Sequence, residues 1–131
     1  MSYQLKSPLL QVHIVADLMK IDLNILRNAD LLQKTFAAAL KSSGFTIIND
    51  FSHKFTEGGM GVTGMFLLAE SHLAYHSYPE WNYLAIDLYS CSVKPEPVIE
   101  QICQVLKPKQ KQIKLISRDP GIRADSLGLR P

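Results

Sequence analysis

Cysteine is scarce: only Cys91 and Cys103 occur in 131 residues. They form no paired CxxC spacing and no disulfide-rich pattern, so a reduced, cytoplasmic setting is the simpler reading. Also absent is any uninterrupted apolar run of membrane-spanning length. The opening Met1-Ser-Tyr-Gln-Leu-Lys lacks the apolar core of a signal peptide. An excess of one charge is missing too. Lys plus Arg number 14 against 12 Asp plus Glu, a net charge of +2, so composition gives no reason to invoke nucleic acid or an acidic membrane surface. No segment is low in complexity, and no linker or short repeat divides the chain. What remains is one small soluble domain, long enough to bury a core.

The apolar pattern predicts the elements. Leu9–Ala16 reads as a first strand. Asn28 or Asp30 can cap a helix running to about Ser42, with Leu31, Leu32, Thr35, Phe36, Ala39 and Leu40 as its stripe and Gly44 as its stop. Phe45–Phe55 has a β-like pattern, with Phe45, Ile47 and Asn49 on one face. Three glycines in Glu57-Gly-Gly-Met-Gly61 mark a tight loop. Val62–Ala69 reads as a central strand and Ser71–Ser77 as another extended piece. Tyr78–Asn82 is a turn set by Pro79, and Tyr83–Ser90 is a strand ending at Cys91. Pro95 or Pro97 opens a second helix through Leu106, with Val98, Ile102, Val105 and Leu106 facing inward. Pro108 ends it, Gln110–Ser117 is a final strand, and residues 118–131 form a loosely ordered tail. This order predicts an α+β two-layer sandwich, an antiparallel sheet with two helices on one face.

Unusual chemistry concentrates between Leu68 and Cys91, where Ser71, two histidines, two glutamates and a cysteine sit in strand-like sequence. Three readings compete. His72 and His76, four apart, would share a face and could hold zinc if the segment were helical, although Pro79 and the Leu/Tyr alternation favour extended chain. Ser71 or Cys91 could serve with a histidine as a nucleophile, although no GxSxG elbow or cysteine-enzyme signature surrounds them. The third reading is that of core histidines and strand serines in a binding domain.

The string Glu70-Ser-His-Leu-Ala-Tyr-His-Ser-Tyr-Pro-Glu80, with Ala85-Ile-Asp-Leu-Tyr-Ser-Cys91, resembles the prokaryotic-type S-adenosylmethionine decarboxylase proenzymes. That family carries a Glu-Ser-His processing site, a His-x-x-Pro-Glu element and a catalytic cysteine after an Ala-Ile/Val-Asp strand. His13–Asp17, His53-Lys-Phe55, Gly61-Val-Thr-Gly64 and Lys107-Pro-Lys109 resemble its outlying motifs. The likeness therefore runs from about Val12 to Ser117.

The resemblance implies self-cleavage between Glu70 and Ser71 into a β chain, 1–70, and an α chain, 71–131, with Ser71 converted to a covalent pyruvoyl cofactor. By family correspondence His76 removes the Cα proton of Ser71, and Thr63 stands where a serine assists processing. The pyruvoyl ketone takes the substrate amine as a Schiff base and acts as electron sink, the work pyridoxal phosphate does elsewhere. Cys91 holds the position of the proton donor, and thiols ordinarily keep their proton at neutral pH. Phe55 is assigned to stacking on adenine, Leu73 to packing nearby and Glu80 to the ribose hydroxyls. The product is the aminopropyl donor for spermidine synthesis. Two processed protomers pair, with residues of both completing each active site.

No metal, nucleic acid or membrane is implied. Cys103, His13, His53 and His72 read as structural, and Tyr78 and Trp81 as pocket-edge or interface aromatics. The lysines 107, 109, 111 and 114 read as solvated edge-strand charges rather than a nucleic-acid patch. The sequence departs from the family at Thr63, in a longer loop at 56–61, and at Tyr78 and Ser92. None of these touches Glu70, Ser71, His76 or Cys91. A pyruvoyl decarboxylase for ornithine or arginine on the same fold is the alternative reading. A non-catalytic nucleoside- or protein-binding homologue is a more distant one.

Overall fold

The computed structural model describes residues 11–91 and 93–118. Leu9 and Leu10 of the expected first strand, and the tail beyond Arg118, lie outside them. The elements run β1 (Gln11–Met19), α1 (Leu23–Leu26), α2 (Ala29–Ser42), β2 (Ile47–Lys54), β3 (Val62–Leu68), β4 (Ser71–Tyr78), β5 (Tyr83–Cys91), α3 (Glu96–Leu106) and β6 (Gln110–Ser117). The strands form one six-stranded antiparallel sheet in the order β2-β3-β4-β5-β1-β6. The α+β sandwich expected from the sequence is the one observed.

Local chemistry sets the boundaries. Asn28 caps α2, its side-chain oxygen accepting from the Leu31 amide at 3.0 Å. Gly44 ends that helix at φ +93°, a conformation that favours glycine. The chain then turns so that the Phe45 amide donates to the Leu40 carbonyl at 3.0 Å, and Phe45 is buried. Pro95 and Pro97 open α3, and Lys107, at φ +52°, closes it before Pro108. Within α3, Val98, Ile102 and Leu106 face inward as expected, but Val105 is 51% exposed and Ile99 takes its place in the core. The helix period carries Val105 past the edge of the apolar stripe. The short α1 was not foreseen; four residues are too few to show a period.

Strand alternation divides the sheet into two faces. Ile14, Ala16 and Leu18 of β1, Phe66 and Leu68 of β3, Leu73 and Tyr75 of β4, and Leu84, Ile86 and Leu88 of β5 point one way. There they form a single core with Leu32, Phe36 and Leu40 of α2 and Val98, Ile99 and Ile102 of α3. At its centre the Tyr75 ring stacks on Phe36, centroids 4.2 Å apart and planes 11° off parallel. The Tyr75 hydroxyl donates to Gln33 Oε1 at 2.6 Å. Gly64 is required opposite, because a Cβ there would lie 2.5 Å from that hydroxyl oxygen and closer still to the ring. Burial, with the Asp50 carboxylate adding to it, pushes the Tyr75 pKa above the ordinary 10.0.

A raised folded-state pKa contributes stability that is complete below the unfolded tyrosine value and is lost as pH rises above it. The melting temperature should therefore fall as pH climbs beyond 10.0, and Tyr75→Phe should flatten that fall. Thermal melts across the alkaline range check this. An unchanged slope in Tyr75→Phe would remove Tyr75 from the account.

No helix covers the opposite face among the described residues. Phe51 and Met65 pair across β2 and β3 there, with Leu67 beside them, and Phe51 remains 62% exposed. Toward the middle the same face becomes polar. His13 bonds Asp87, the Tyr83 hydroxyl donates to Asp17, and His72 and Tyr89 lie against each other. Burial and the Asp17 bond together push the Tyr83 pKa up to about 12.

Candidate active site

Leu68 pairs directly with Ser71, so β3 and β4 are joined by a two-residue turn, Ala69-Glu70. Tight hairpins of this length favour positive φ, a conformation that non-glycine residues adopt at a cost of about 1–2 kcal/mol. Glu70 takes it at φ +60°. The Ala69 amide donates to the Thr46 carbonyl at 3.0 Å, which holds the turn from the β2 side. Ser71 follows as the first residue of β4. It is buried, with its hydroxyl donating to the Ala69 carbonyl at 3.4 Å. A strained residue thus precedes a buried serine whose oxygen folds back toward the turn. Such strain concentrates at functional sites.

The register places the other groups. His72 pairs with Tyr89, so the same alignment carried on sets Glu70 and Ser71 level with Cys91 and Ser90. Cys91, half-buried at the end of β5, is therefore at the turn end of the sheet. Its parity puts it on the uncovered face with Tyr89 and Asp87. His76 is on the uncovered face as well, and Thr63 pairs with it across β3 and β4. Thr63 Oγ1 and His76 Nδ1 are 2.9 Å apart. That bond orients the imidazole and leaves Nε2 for proton transfer. However, His76 is five strand residues beyond Ser71, about 17 Å along β4. Ser71 and His76 also point to opposite faces. One chain brings Ser71 and Cys91 to one end of the sheet and Thr63 and His76 to the other.

Phe55 and Glu80 flank this second end. Phe55 follows β2 and is 49% exposed, its ring edge-on to His53. Glu80 lies in the 3-10 turn Pro79–Trp81 after β4. Leu73, expected from the resemblance to pack near the adenine, is 1% exposed and belongs to the core, on the helix side. In a strand it shares parity with Ser71 and Tyr75, so its side chain lies on the same face as theirs. Missed from the sequence was Ser77. Its buried hydroxyl donates to the Leu26 carbonyl at 2.7 Å and accepts from the Val62 amide at 2.8 Å, tying α1 to β3 and β4. The signal was available in its parity with Leu73 and Tyr75.

The competing chemistries separate on the same geometry. His72 and His76 stand on a strand, about 13 Å apart, too far to share one metal ion. No group of three potential metal ligands occurs among the described residues. Lys111 pairs with Leu18 and Lys114 with Val15, so these two lysines project to opposite faces and form no single basic stripe. Cys103 is half-buried on α3, and burial raises its thiol pKa. No helix among the described residues is long and apolar enough to cross a membrane.

The site is thus built on a helix-backed antiparallel sheet, an α+β fold with a strained Glu-Ser turn at one end and acid–base groups on its uncovered face. The comparisons specify it further. The family model for S-adenosylmethionine decarboxylase matches residues 12–119. S-adenosylmethionine decarboxylase proenzyme 2 of Bacillus cereus is 38% identical over 111 residues, 83% of this chain and 89% of the relative. The S-adenosylmethionine decarboxylase proenzyme of Thermotoga petrophila is 34% identical over 119 residues, 89% of this chain and 88% of the relative. The crystal structure of the adenosylmethionine decarboxylase from Aquifex aeolicus superposes with a TM-score of 0.75 at 28% identity, covering 83% of this chain and 90% of that one. The chain belongs to the S-adenosylmethionine decarboxylase family.

Proposed function

We propose that this chain is a proenzyme that cuts itself at Glu70–Ser71 and, as a pair of processed copies, decarboxylates S-adenosylmethionine to the aminopropyl donor used in spermidine synthesis. The observation that carries the reading is the Glu70 turn: a left-handed non-glycine residue immediately before a buried serine, between two strands. Scission there leaves every strand whole. The β1–β5, β1–β6 and β3–β4 ladders all join the segment before the cut to the segment after it. The fold thus fits a cofactor made in place.

Processing balances on the chain's own atoms. Ser71 Oγ bonds to the Glu70 carbonyl carbon as the peptide C–N bond breaks, giving an ester and a free Ser71 amine. A base, His76, takes the Ser71 Cα proton, and the Glu70 carboxylate leaves. The resulting dehydroalanine adds water and loses ammonia to become the pyruvoyl group. Once formed, that group supplies an electron sink for the substrate α-carbon as CO2 departs. Cys91 returns the proton, Phe55 stacks on the adenine, and Glu80 accepts from the ribose hydroxyls.

The separation of Ser71 from His76 is the argument for pairing. Two uncovered faces apposed by a twofold axis, strands running in opposite senses, would bring Thr63 and His76 of one copy to the turn end of the other, where Cys91 lies on the uncovered face and the Glu70–Ser71 bond closes the β3–β4 turn. They also cover Phe51, Met65 and Leu67, which one chain leaves exposed.

Two measurements test this reading. Purified protein should release CO2 from S-adenosylmethionine and not from ornithine or arginine; the reverse preference would replace the substrate. Glu70→Gly should relax the turn, raise the melting temperature and slow self-cleavage severalfold, an expected gain of about 1 kcal/mol. Cleavage at the parental rate would show that the turn's strain is not used.

A further inference from the structure

We infer that Gly59 and Arg27 are positioning residues that fix the Glu80 carboxylate. The inference rests on the reading of Glu80 as acceptor of the ribose hydroxyls. The loop between β2 and β3 is closed by the Phe55 amide donating to the Gly61 carbonyl at 2.9 Å. Inside it the Met60 amide donates to Glu57 at 3.2 Å. Its glycines have different reasons to be there. Gly58, at φ +62°, makes the turn. Gly61 lies under the end of β4, where a Cβ would strike the Ser77 carbonyl oxygen and come within 3.4 Å of Pro79 Cδ.

Gly59 has neither reason. Its φ is not positive, so its backbone suits any residue. The three atoms nearest a Cβ there all belong to the Glu80 carboxylate, Cδ at 2.5 Å, Oε2 at 2.9 Å and Oε1 closer still. The carboxylate rests on the bare Cα of Gly59. Arg27 holds that stretch of loop in place, its Nε donating to the Gly59 carbonyl at 3.3 Å. Arg27 is itself the C-cap of α1, and the neighbouring Leu26 carbonyl is bound by Ser77 of β4. Helix, loop and strand end are one connected unit around Glu80. The atoms nearest an alanine methyl at 59 are side-chain rather than backbone atoms. The methyl displaces the flexible end of a glutamate, and ligand contacts are sensitive to shifts of that size.

Self-cleavage, kcat and KM for S-adenosylmethionine are measured for the parent, Gly59→Ala, Glu80→Gln and the double variant. Gly59→Ala should cleave itself as the parent does, keep its kcat, and raise KM about tenfold. Because Gly59 acts through Glu80, the same change made in Glu80→Gln should raise KM no further; a merely structural role would add in full. Arg27→Met should move KM in the same direction, again only when Glu80 is present. A parental KM in Gly59→Ala, with KM raised in Glu80→Gln, overturns the inference and leaves the reading of Glu80 intact. An unchanged KM in Glu80→Gln overturns both.

Discussion

Ser71→Ala should leave the chain as one uncut species and release no CO2 from S-adenosylmethionine, while Cys91→Ala should still cut itself and yet decarboxylate 10²- to 10⁴-fold more slowly, roughly the worth of a general acid. The two residues lie level at the turn end of the sheet but serve different events. In the proposed reaction Ser71 supplies both the nucleophile for scission and the carbon skeleton of the cofactor, so its loss removes everything downstream. On the same proposal Cys91 enters only when a proton must return to the substrate. Gel electrophoresis under denaturing conditions reports the cut, and trapped CO2 reports the turnover. A Cys91→Ala chain that remains uncut would move the thiol into processing. A Ser71→Ala chain that still splits at residue 70 would end the account of the turn.

The second large effect concerns pairing. His76→Ala and Ser71→Ala should each be inactive alone, yet their co-expression should restore about a quarter of the parental activity, since random pairing makes half the dimers mixed and each mixed dimer carries one intact site. The reason is geometric. Within one chain, the Ser71 hydroxyl and the His76 imidazole stand about five strand residues apart and on opposite faces of β4, beyond any hydrogen bond. No side-chain rotation closes that gap within one chain, so the proposed pairing asks the partner copy to supply the imidazole at the turn. Failure of the mixture to regain activity, with mixed dimers shown to form, would require a site built within one chain.

Much of this was legible in the residues. The helix cap at Asn28, the stop at Gly44 and the turn at Pro79 are local chemistry, and each stands where the sequence sets it. The α+β order follows from the switch between two periods. What failed to show depended on which way a strand faces. Leu73 carries the family's substrate role in the sequence string, but parity with Ser71 and Tyr75 turns its side chain into the core. That is decided by the pairing of β4 with β3 and β5, which no short window contains. Val105 looked inward because its residue type is apolar, yet α3 meets the sheet along Val98, Ile102 and Leu106. The left-handed Glu70 was hidden for the opposite reason. A glycine would have announced the turn, and only the direct pairing of Leu68 with Ser71 shows that a glutamate has been placed there instead.

The central claim is that Ser71 becomes the cofactor, and intact mass measurement of the purified chain under denaturing conditions tests it most directly. The account predicts two species, residues 1–70 and 71–131. The second should be lighter than a serine-initiated chain by the mass of ammonia, and hydrazine should label it as a ketone. A single species at the full 14.7 kDa, with S-adenosylmethionine decarboxylation intact, would contradict it.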